Sequence, residues 1–244
     1  SFLGALQGLT EFLPISSSGH LFLAQKFLKI SPNLSLEIWL HVASLLAVII
    51  FYWSEILEIL KKLFQKNDSE KIGWKLAIAT IFTMPLALVG KKIIDIDLSV
   101  SFVGITLLCT ALFLLIAEKF RSKKEQSFTW LIAVGTGIIQ GISILPGISR
   151  SGITIAFLIL MGVNRKKSAK YSFLLSIPTI LGGFIFTLKD IQYLPTISIE
   201  LILGLIIAFV FSIISIKWMT KLIEKKWIWF VPYCALLGII LLFL

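Results

Sequence analysis

The segment Gln7-Gly8-Leu9-Thr10-Glu11-Phe12-Leu13-Pro14-Ile15-Ser16-Ser17-Ser18-Gly19-His20 decides how the rest of this 244-residue chain is read. It sets a carboxylate, three consecutive hydroxyls and one of two histidines inside an apolar region. A second segment answers it: Gln140-Gly141-Ile142-Ser143-Ile144-Leu145-Pro146-Gly147-Ile148-Ser149-Arg150-Ser151-Gly152. Gln-Gly opens both, Leu-Pro breaks both, and Ile-Ser-x-Ser-Gly closes both. Gln7 aligns with Gln140, Pro14 with Pro146 and Ser16 with Ser149, with one residue deleted and one inserted between the copies. That is an internal repeat.

The chain is 57% hydrophobic with a mean hydropathy of +0.97, and 15% of its residues are charged. Soluble domains carry about 25% charged residues, so the composition is that of an integral membrane protein. Cys109 and Cys234 sit in apolar runs and read as core thiols rather than a disulfide framework. A net charge of +10 is also a nucleic-acid signature, but here Lys and Arg lie in short loops between apolar runs, as membrane orientation requires. No signal-peptide pattern is visible, because the first residues already belong to the repeat. The chain opens at Ser1 without Met, so a short leader is expected before it.

Residues 1–13 and 18–29 are apolar and helix-compatible, but each is too short to cross about 30 Å of hydrocarbon. Separated by Pro14 and the serine run, they predict a re-entrant hairpin over 1–29, and the second copy predicts another over 128–162. Broken backbone at membrane depth survives only against protein or a watery cavity. Full spans are expected at about 36–53, 72–90, 99–117, 170–188, 198–217 and 228–244. Residues 54–71, with Glu55, Glu58, Lys61, Lys62 and Lys66 among Ile and Leu, predict an amphipathic interfacial helix. The expected fold is therefore one all-α integral membrane domain over 1–244, with six transmembrane helices and two re-entrant hairpins. Repeat one covers 1–117 and repeat two 128–244. A hairpin crosses nothing and three spans are an odd number, so the second copy enters from the opposite face. That is an inverted-topology repeat whose polar turns meet near the membrane middle. The face holding the N-terminus carries Lys26, Lys29, Lys91, Lys92 and Lys189, and most other Lys and Arg fall on the opposite face. The opposite face is expected to be cytoplasmic and both termini outside.

Glu11 and Arg150 are the ionisable residues deepest in the hairpins, where a charge faces a partner or a cavity. They suit a structural ion pair or an anion site. For the latter, Ser149, Arg150 and Ser151 precede a half-helix whose N-terminus offers free N–H groups, and the guanidinium can fork two phosphate oxygens. Ser16–Ser18 give the mirrored half-helix the same arrangement, although N-capping alone explains one serine. Gln7 and Glu11, spaced i, i+4, share a helix face and could hold a hard divalent cation through oxygen beside a pyrophosphate, or simply bond each other. His20 lies one turn after Ser17, the minimum for an activated nucleophile, or is merely hydrogen-bonded. Glu37 and His41 form a further i, i+4 pair, with a site role or an interfacial one.

Together these residues resemble the undecaprenyl-diphosphate phosphatase family, the bacitracin-resistance phosphatases of bacterial inner membranes. The first motif appears as Gln7-x-x-x-Glu11 running into Leu13-Pro14-Ile15-Ser16-Ser17-Ser18-Gly19-His20. The second is Pro146-Gly147-Ile148-Ser149-Arg150-Ser151-Gly152-Ile153-Thr154. The resemblance covers nearly the whole chain. It implies hydrolysis of undecaprenyl diphosphate to the monophosphate, which recycles the lipid carrier for peptidoglycan and other envelope polymers. It implies Mg2+ or Ca2+ as cofactor and a site opening to the periplasmic side of the inner membrane. By motif position Glu11 and His20 are essential and Ser17 is a candidate nucleophile. Ser149, Arg150 and Thr154 bind phosphate, with Ser16 and Ser151 beside them. Position 7 is the glutamine variant of the motif, which removes one negative charge and leaves metal binding mainly to Glu11. Attack by Ser17 and attack by water both remain open. The partners expected are a polyprenyl diphosphate lipid and the bilayer, with no nucleic acid, and pairing with a second copy of the chain stays open. The competing function is a lipid-phosphate transporter or flippase, which shares inverted-repeat architecture. Glu11 beside Ser17 and His20 favours the enzyme, since carrying an anion needs no acidic group.

Overall fold

The computed structural model describes residues 2–31, 34–65, 68, 70–94, 99–188 and 198–244. Lys66 and Lys189, counted above for orientation, lie outside the described residues. Among the described residues all regular structure is helical: α1 (Phe2–Glu11), α2 (Ser17–Phe27), α3 (Leu34–Phe51), α4 (Trp53–Lys62), α5 (Ile72–Ile94), α6 (Val100–Phe120), α7 (Trp130–Ile142), α8 (Arg150–Leu160), α9 (Arg165–Leu188), α10 (Ile199–Leu222) and α11 (Phe230–Leu242). Side-chain caps start several of them. Ser99, Thr129 and Ser198 each accept the N–H three residues on, at the heads of α6, α7 and α10.

Four described helices are long and apolar enough to cross a membrane: Ile72–Gly90, Val100–Phe120, Arg165–Ile185 and Ile199–Leu222. A fifth is counted if α3 and α4, bent by 75° at Tyr52, form one span. The chain is thus a multi-pass, all-α membrane protein. Where 228–244 was expected to span, the chain makes a single 3-10 turn, Trp227–Trp229, and then the shorter apolar helix α11. The interfacial helix expected over 54–71 is described as α4, which buries no side chain, exposes Trp53, Leu57 and Leu60, and pairs Lys62 with Glu58. On α5, α6, α10 and α11, Ile81, Leu112, Ile206 and Leu236 point outward, as lipid contact demands.

Each hairpin's first half-helix packs on a long helix of the other half of the chain. α1 lies on α10 and α7 on α5; α10 also packs on α3, and α5 on α9. Close backbone approach makes the first two contacts possible. A Cβ on Gly4 would stand 2.2 Å from Gly204 O, and one on Gly137 would stand 2.1 Å from Ala79 O. Small-residue stripes of this kind replace the missing hydrophobic driving force between helices in lipid. α6 and α11 pair along their length, and α6 backs α8. At one end Glu118 accepts both Arg165 Nη2 (2.6 and 2.8 Å) and Trp227 Nε1 (2.8 Å), tying α6, α9 and the turn before α11.

The glycine contacts make an opposed pair of outcomes. Gly137→Ala should lower stability by about 1–3 kcal/mol, the usual cost of overpacking, because the obstructing atom is a backbone oxygen. Gly182→Ala meets nothing within 4 Å, so the gain in helix propensity, up to about 1 kcal/mol, should dominate and raise the midpoint. Thermal unfolding of both variants in one detergent reads the two signs, and a neutral Gly137→Ala would show that α7 is free to move off α5.

Candidate active site

The two polar turns meet and interlock. Ser16 caps α2, its Oγ accepting Gly19 N at 3.3 Å, and Ser149 caps α8, its Oγ accepting Gly152 N at 3.1 Å. Ser16 Oγ also accepts Gly147 N from the other turn at 3.0 Å, while Ser151 Oγ donates back to Leu13 O at 3.1 Å. Ser16 has φ 68° and ψ 94°, a conformation that costs a non-glycine residue about 1–3 kcal/mol. In the second turn the positive φ falls on Gly147, the residue inserted there, at φ 93° and free of that cost. Each turn is further held by a helix of the other half. Thr106 Oγ1 lies 2.6 Å from Pro146 O, and Thr110 Oγ1 donates to Gly147 O at 3.0 Å. Cys234 Sγ of α11 donates to Pro14 O at 3.4 Å.

Glu11, 6% exposed at the end of α1, is the hub. Its Oε2 accepts Ser17 Oγ at 2.6 Å and Gln7 Nε2 at 3.0 Å, and its Oε1 accepts Arg150 Nη2 at 2.6 Å. These are the bonds an ionised carboxylate makes. Glu11, Gln7, Ser17 and Arg150, selected from two distant motifs, therefore touch one another. Arg150 Nη1 lies 3.4 Å from Ser172 O, and the other guanidinium N–H groups remain for an anion. The N-termini of α2 and α8 come to this same point, so both present N–H groups and dipole charge of the sign that an anion seeks.

Other expected residues take different places. His20 does not face Ser17: its Nδ1 lies 2.8 Å from Ser16 O and its Nε2 2.7 Å from Tyr233 OH, with the two rings stacked at 5.8 Å. The expected contact between His20 and Ser17 is not formed here: both ring nitrogens are engaged elsewhere and Ser17 donates to Glu11. Thr154 is fully buried, its Oγ1 2.7 Å from Arg150 O and 2.6 Å from Ser172 Oγ, so it supports the turn that carries Arg150. Ser16 and Ser151 likewise spend their hydroxyls on the interlock. Ser149 and Arg150 line the cavity, together with Ser18. The Glu37–His41 pair divides: Glu37 Oε1 accepts Gln25 Nε2 at 2.8 Å, whereas His41 turns its Nε2 to within 3.6 Å of Glu11 Oε2. His41 Nδ1 lies 2.8 Å from Glu37 O and so carries the proton that a carbonyl accepts. The i, i+4 spacing and the position near one membrane face were the signals for His41. Nothing local pointed to Ser172 or Tyr233.

A cavity of about 540 Å3 opens from this cluster. Glu11, Ser17, His41 and Arg150 form its polar end, and Met84, Leu88, Ile144 and Ile180 line an apolar remainder between α5 and α9. As for a metal, no three His, Cys, Asp or Glu side chains converge among the described residues. One carboxylate is present, and Gln7 Oε1 beside it is buried with no partner. That donor set does not make a closed protein cage. It fits a hard cation that keeps waters and shares its coordination with substrate phosphate. The arrangement can therefore bind a phosphate ester or anhydride, neutralise its charge, and remove a proton from the Ser17 hydroxyl.

A family model described as "Bacitracin resistance protein BacA" matches residues 1–240. Relatives of the chain include three proteins named undecaprenyl-diphosphatase. The one from Methanosphaera stadtmanae is 38% identical over 266 residues, which covers 99% of this chain and 95% of the relative. Those from Thermosipho africanus and Carboxydothermus hydrogenoformans are both 39% identical, over 245 and 255 residues, covering 99% of this chain and 97% and 95% of the relatives.

Proposed function

The chain belongs to the bacitracin resistance protein BacA family, and from that premise we propose that it is a membrane phosphatase converting undecaprenyl diphosphate to undecaprenyl phosphate and inorganic phosphate. This recycles the lipid carrier for cell-wall synthesis and confers resistance to bacitracin. One observation carries the reading: a single cavity joins a charged end, built from Glu11, Ser17 and Arg150, to an apolar slot between α5 and α9. That is the shape of a diphosphate on a hydrocarbon chain.

In this reading the terminal phosphate sits against Arg150 and the N-termini of α2 and α8. Ser17 Oγ attacks its phosphorus as Glu11 accepts the hydroxyl proton across the existing 2.6 Å bond. The bond from that phosphorus to the bridging oxygen breaks, and the lipid monophosphate leaves. That monophosphate carries off the proton taken by Glu11. A water deprotonated at the regenerated carboxylate then attacks the phosphoserine, with Glu11 returning the proton to Ser17 Oγ as inorganic phosphate leaves. Phosphoryl transfer depends mainly on positioning and charge neutralisation, which Arg150 and the helix ends provide. Glu11 and Gln7 would hold a divalent cation, Mg2+ or Ca2+, which when bound would supply further positive charge to the diphosphate. His41 faces the same carboxylate from the far wall.

The finer architecture belongs to the same proposal: six spans in an inverted-topology repeat. Its support is the exchange of partners, α1 on α10 and α7 on α5. The lining residues Met84 and Ile180 lie towards the C-terminal ends of α5 and α9, and His41 towards the start of α3, so the cavity occupies one half of the membrane. The distribution of Lys and Arg supports reading that as the outer half, opening to the periplasmic side of a bacterial plasma membrane.

Phosphate release from undecaprenyl diphosphate in detergent tests the proposal. Ser17→Ala and Glu11→Gln should each lower kcat by at least about 100-fold. A Ser17→Ala enzyme retaining more than about a tenth of wild-type turnover, a deficit of about 1.4 kcal/mol, would make water the nucleophile and Ser17 an orienting ligand. Arg150→Lys should cost more than about tenfold, because a point charge cannot replace a fork held between Glu11 and phosphate; near-normal turnover would reduce Arg150 to a structural role. EDTA should abolish release and added Mg2+ or Ca2+ restore it, and turnover indifferent to chelation would remove the metal.

A further inference from the structure

We infer that His20 and Tyr233 form a positioning brace, with no proton role in the reaction, and that the brace acts on Ser17 through the backbone of Ser16. Ser16 holds φ 68° immediately before Ser17, and Ser17 must present its hydroxyl to Glu11. A residue in that region of backbone space stays there only if its surroundings over-determine it. Ser16 is 2% exposed, and its hydroxyl accepts two backbone N–H groups. Among the described residues its carbonyl is held by His20 alone, through His20 N at 3.2 Å and His20 Nδ1 at 2.8 Å. The imidazole therefore fixes the peptide plane between Ser16 and Ser17. A carbonyl only accepts, so Nδ1 is the protonated nitrogen, and Nε2 is left to receive the Tyr233 hydroxyl at 2.7 Å. Tyr233 stands on α11 next to Cys234, which bonds Pro14 O. Neighbouring residues of the last helix thus hold both ends of the first turn. With both nitrogens engaged, and with no place on the cavity wall, His20 has no nitrogen to offer Ser17 or a water.

Two substitutions separate the roles. Asn carries its amide nitrogen on Cγ, as His carries Nδ1, so His20→Asn keeps the bond to Ser16 O. Gln places its nitrogen where Nε2 stood, so His20→Gln keeps Tyr233 and loses Ser16. Neither amide can serve as a base. A misplacement of about 1 Å costs about 100-fold, so His20→Ala and His20→Gln should lower kcat by that order with KM within about twofold, whereas His20→Asn should stay within about tenfold of wild type. Tyr233→Phe should lower kcat in the wild-type background and add nothing in His20→Asn, where no ring remains to be held. If Asn is as impaired as Gln, the ring does proton chemistry and the brace is wrong. Should His20→Ala fail to fold, the Asn–Gln comparison decides alone, with thermal midpoints as the check on folding.

The turnover readout rests on the phosphatase reading, so a second measurement avoids it. Hydrogen–deuterium exchange over residues 14–20 should rise in His20→Ala and His20→Gln and remain at the wild-type level in His20→Asn. Unchanged exchange in His20→Ala overturns the brace. A wild-type protein that releases no phosphate overturns the phosphatase reading, and the exchange result still decides the brace.

Discussion

The bond between Glu11 and Arg150 is the interaction on which the rest of this molecule depends. It is 2.6 Å long, almost closed to solvent, and joins the two halves of the chain. Neither residue is placed for the comfort of its own helix. Glu11 ends α1, where the dipole is negative, and Arg150 begins α8, where it is positive. Each misplacement costs about 0.3–1 kcal/mol, and a buried pair is rarely a net source of stability. Two buried charges that oppose their dipoles are therefore poor stabilisers, and their arrangement suits an anion. Arg150 adds to the positive end of α8 instead of cancelling it, and Glu11 keeps the guanidinium in one orientation while leaving some of its N–H groups unspent.

The aligned turns show how one site arises from two copies. Ser16 and Ser149 remain equivalent, both capping their half-helices and both bonding the opposite turn. At the next position the copies diverge, with Ser17 in one and Arg150 in the other. Glu11 has no acidic counterpart; at that level the second copy has Ile144, which lines the apolar part of the cavity. Gln140 keeps the place of Gln7 but bonds Thr83 and Thr179 in place of a carboxylate. The duplicated frame supplies the meeting of the turns, and the diverged side chains supply a charged end and a greasy one.

Much of this was legible in the chain. Pro14 and Pro146 marked the broken helices, the serine-rich turns marked the caps, and the repeat predicted that Glu11, Ser17 and Arg150 would meet. These features are local, or follow from symmetry. The His20 geometry was not legible. A spacing of one turn puts Ser17 and His20 near each other, but the ring is drawn away by Tyr233, far along the chain, and by the carbonyl of Ser16 within its own turn. The surroundings of Thr154 were not legible for a related reason: its hydroxyl lies against Ser172 of α9, a contact no local pattern reports. The division of the last apolar segment into a 3-10 turn and α11 was not legible either, because Trp227 to Trp229 are as apolar as a helix needs and the Glu118 that anchors the Trp227 ring nitrogen lies far along the chain.

The hold of α11 on the first turn has a consequence for biosynthesis. The hairpin carrying Glu11 and Ser17 is the first part of this region to leave the ribosome, and the helix bearing Tyr233 and Cys234 is the last. Thr106 and Thr110 are inserted before the turn they support, so the second hairpin finds its scaffold waiting, while the first waits for nearly the whole chain. Until α8 is made Glu11 has no Arg150 to bond, and until α11 is made the turn that carries Ser17 lacks its outer support. Completion of the site is thus tied to the making of α11: a nascent chain that stops short of Tyr233 carries the acid and the serine but lacks the clasp that brings them into working order.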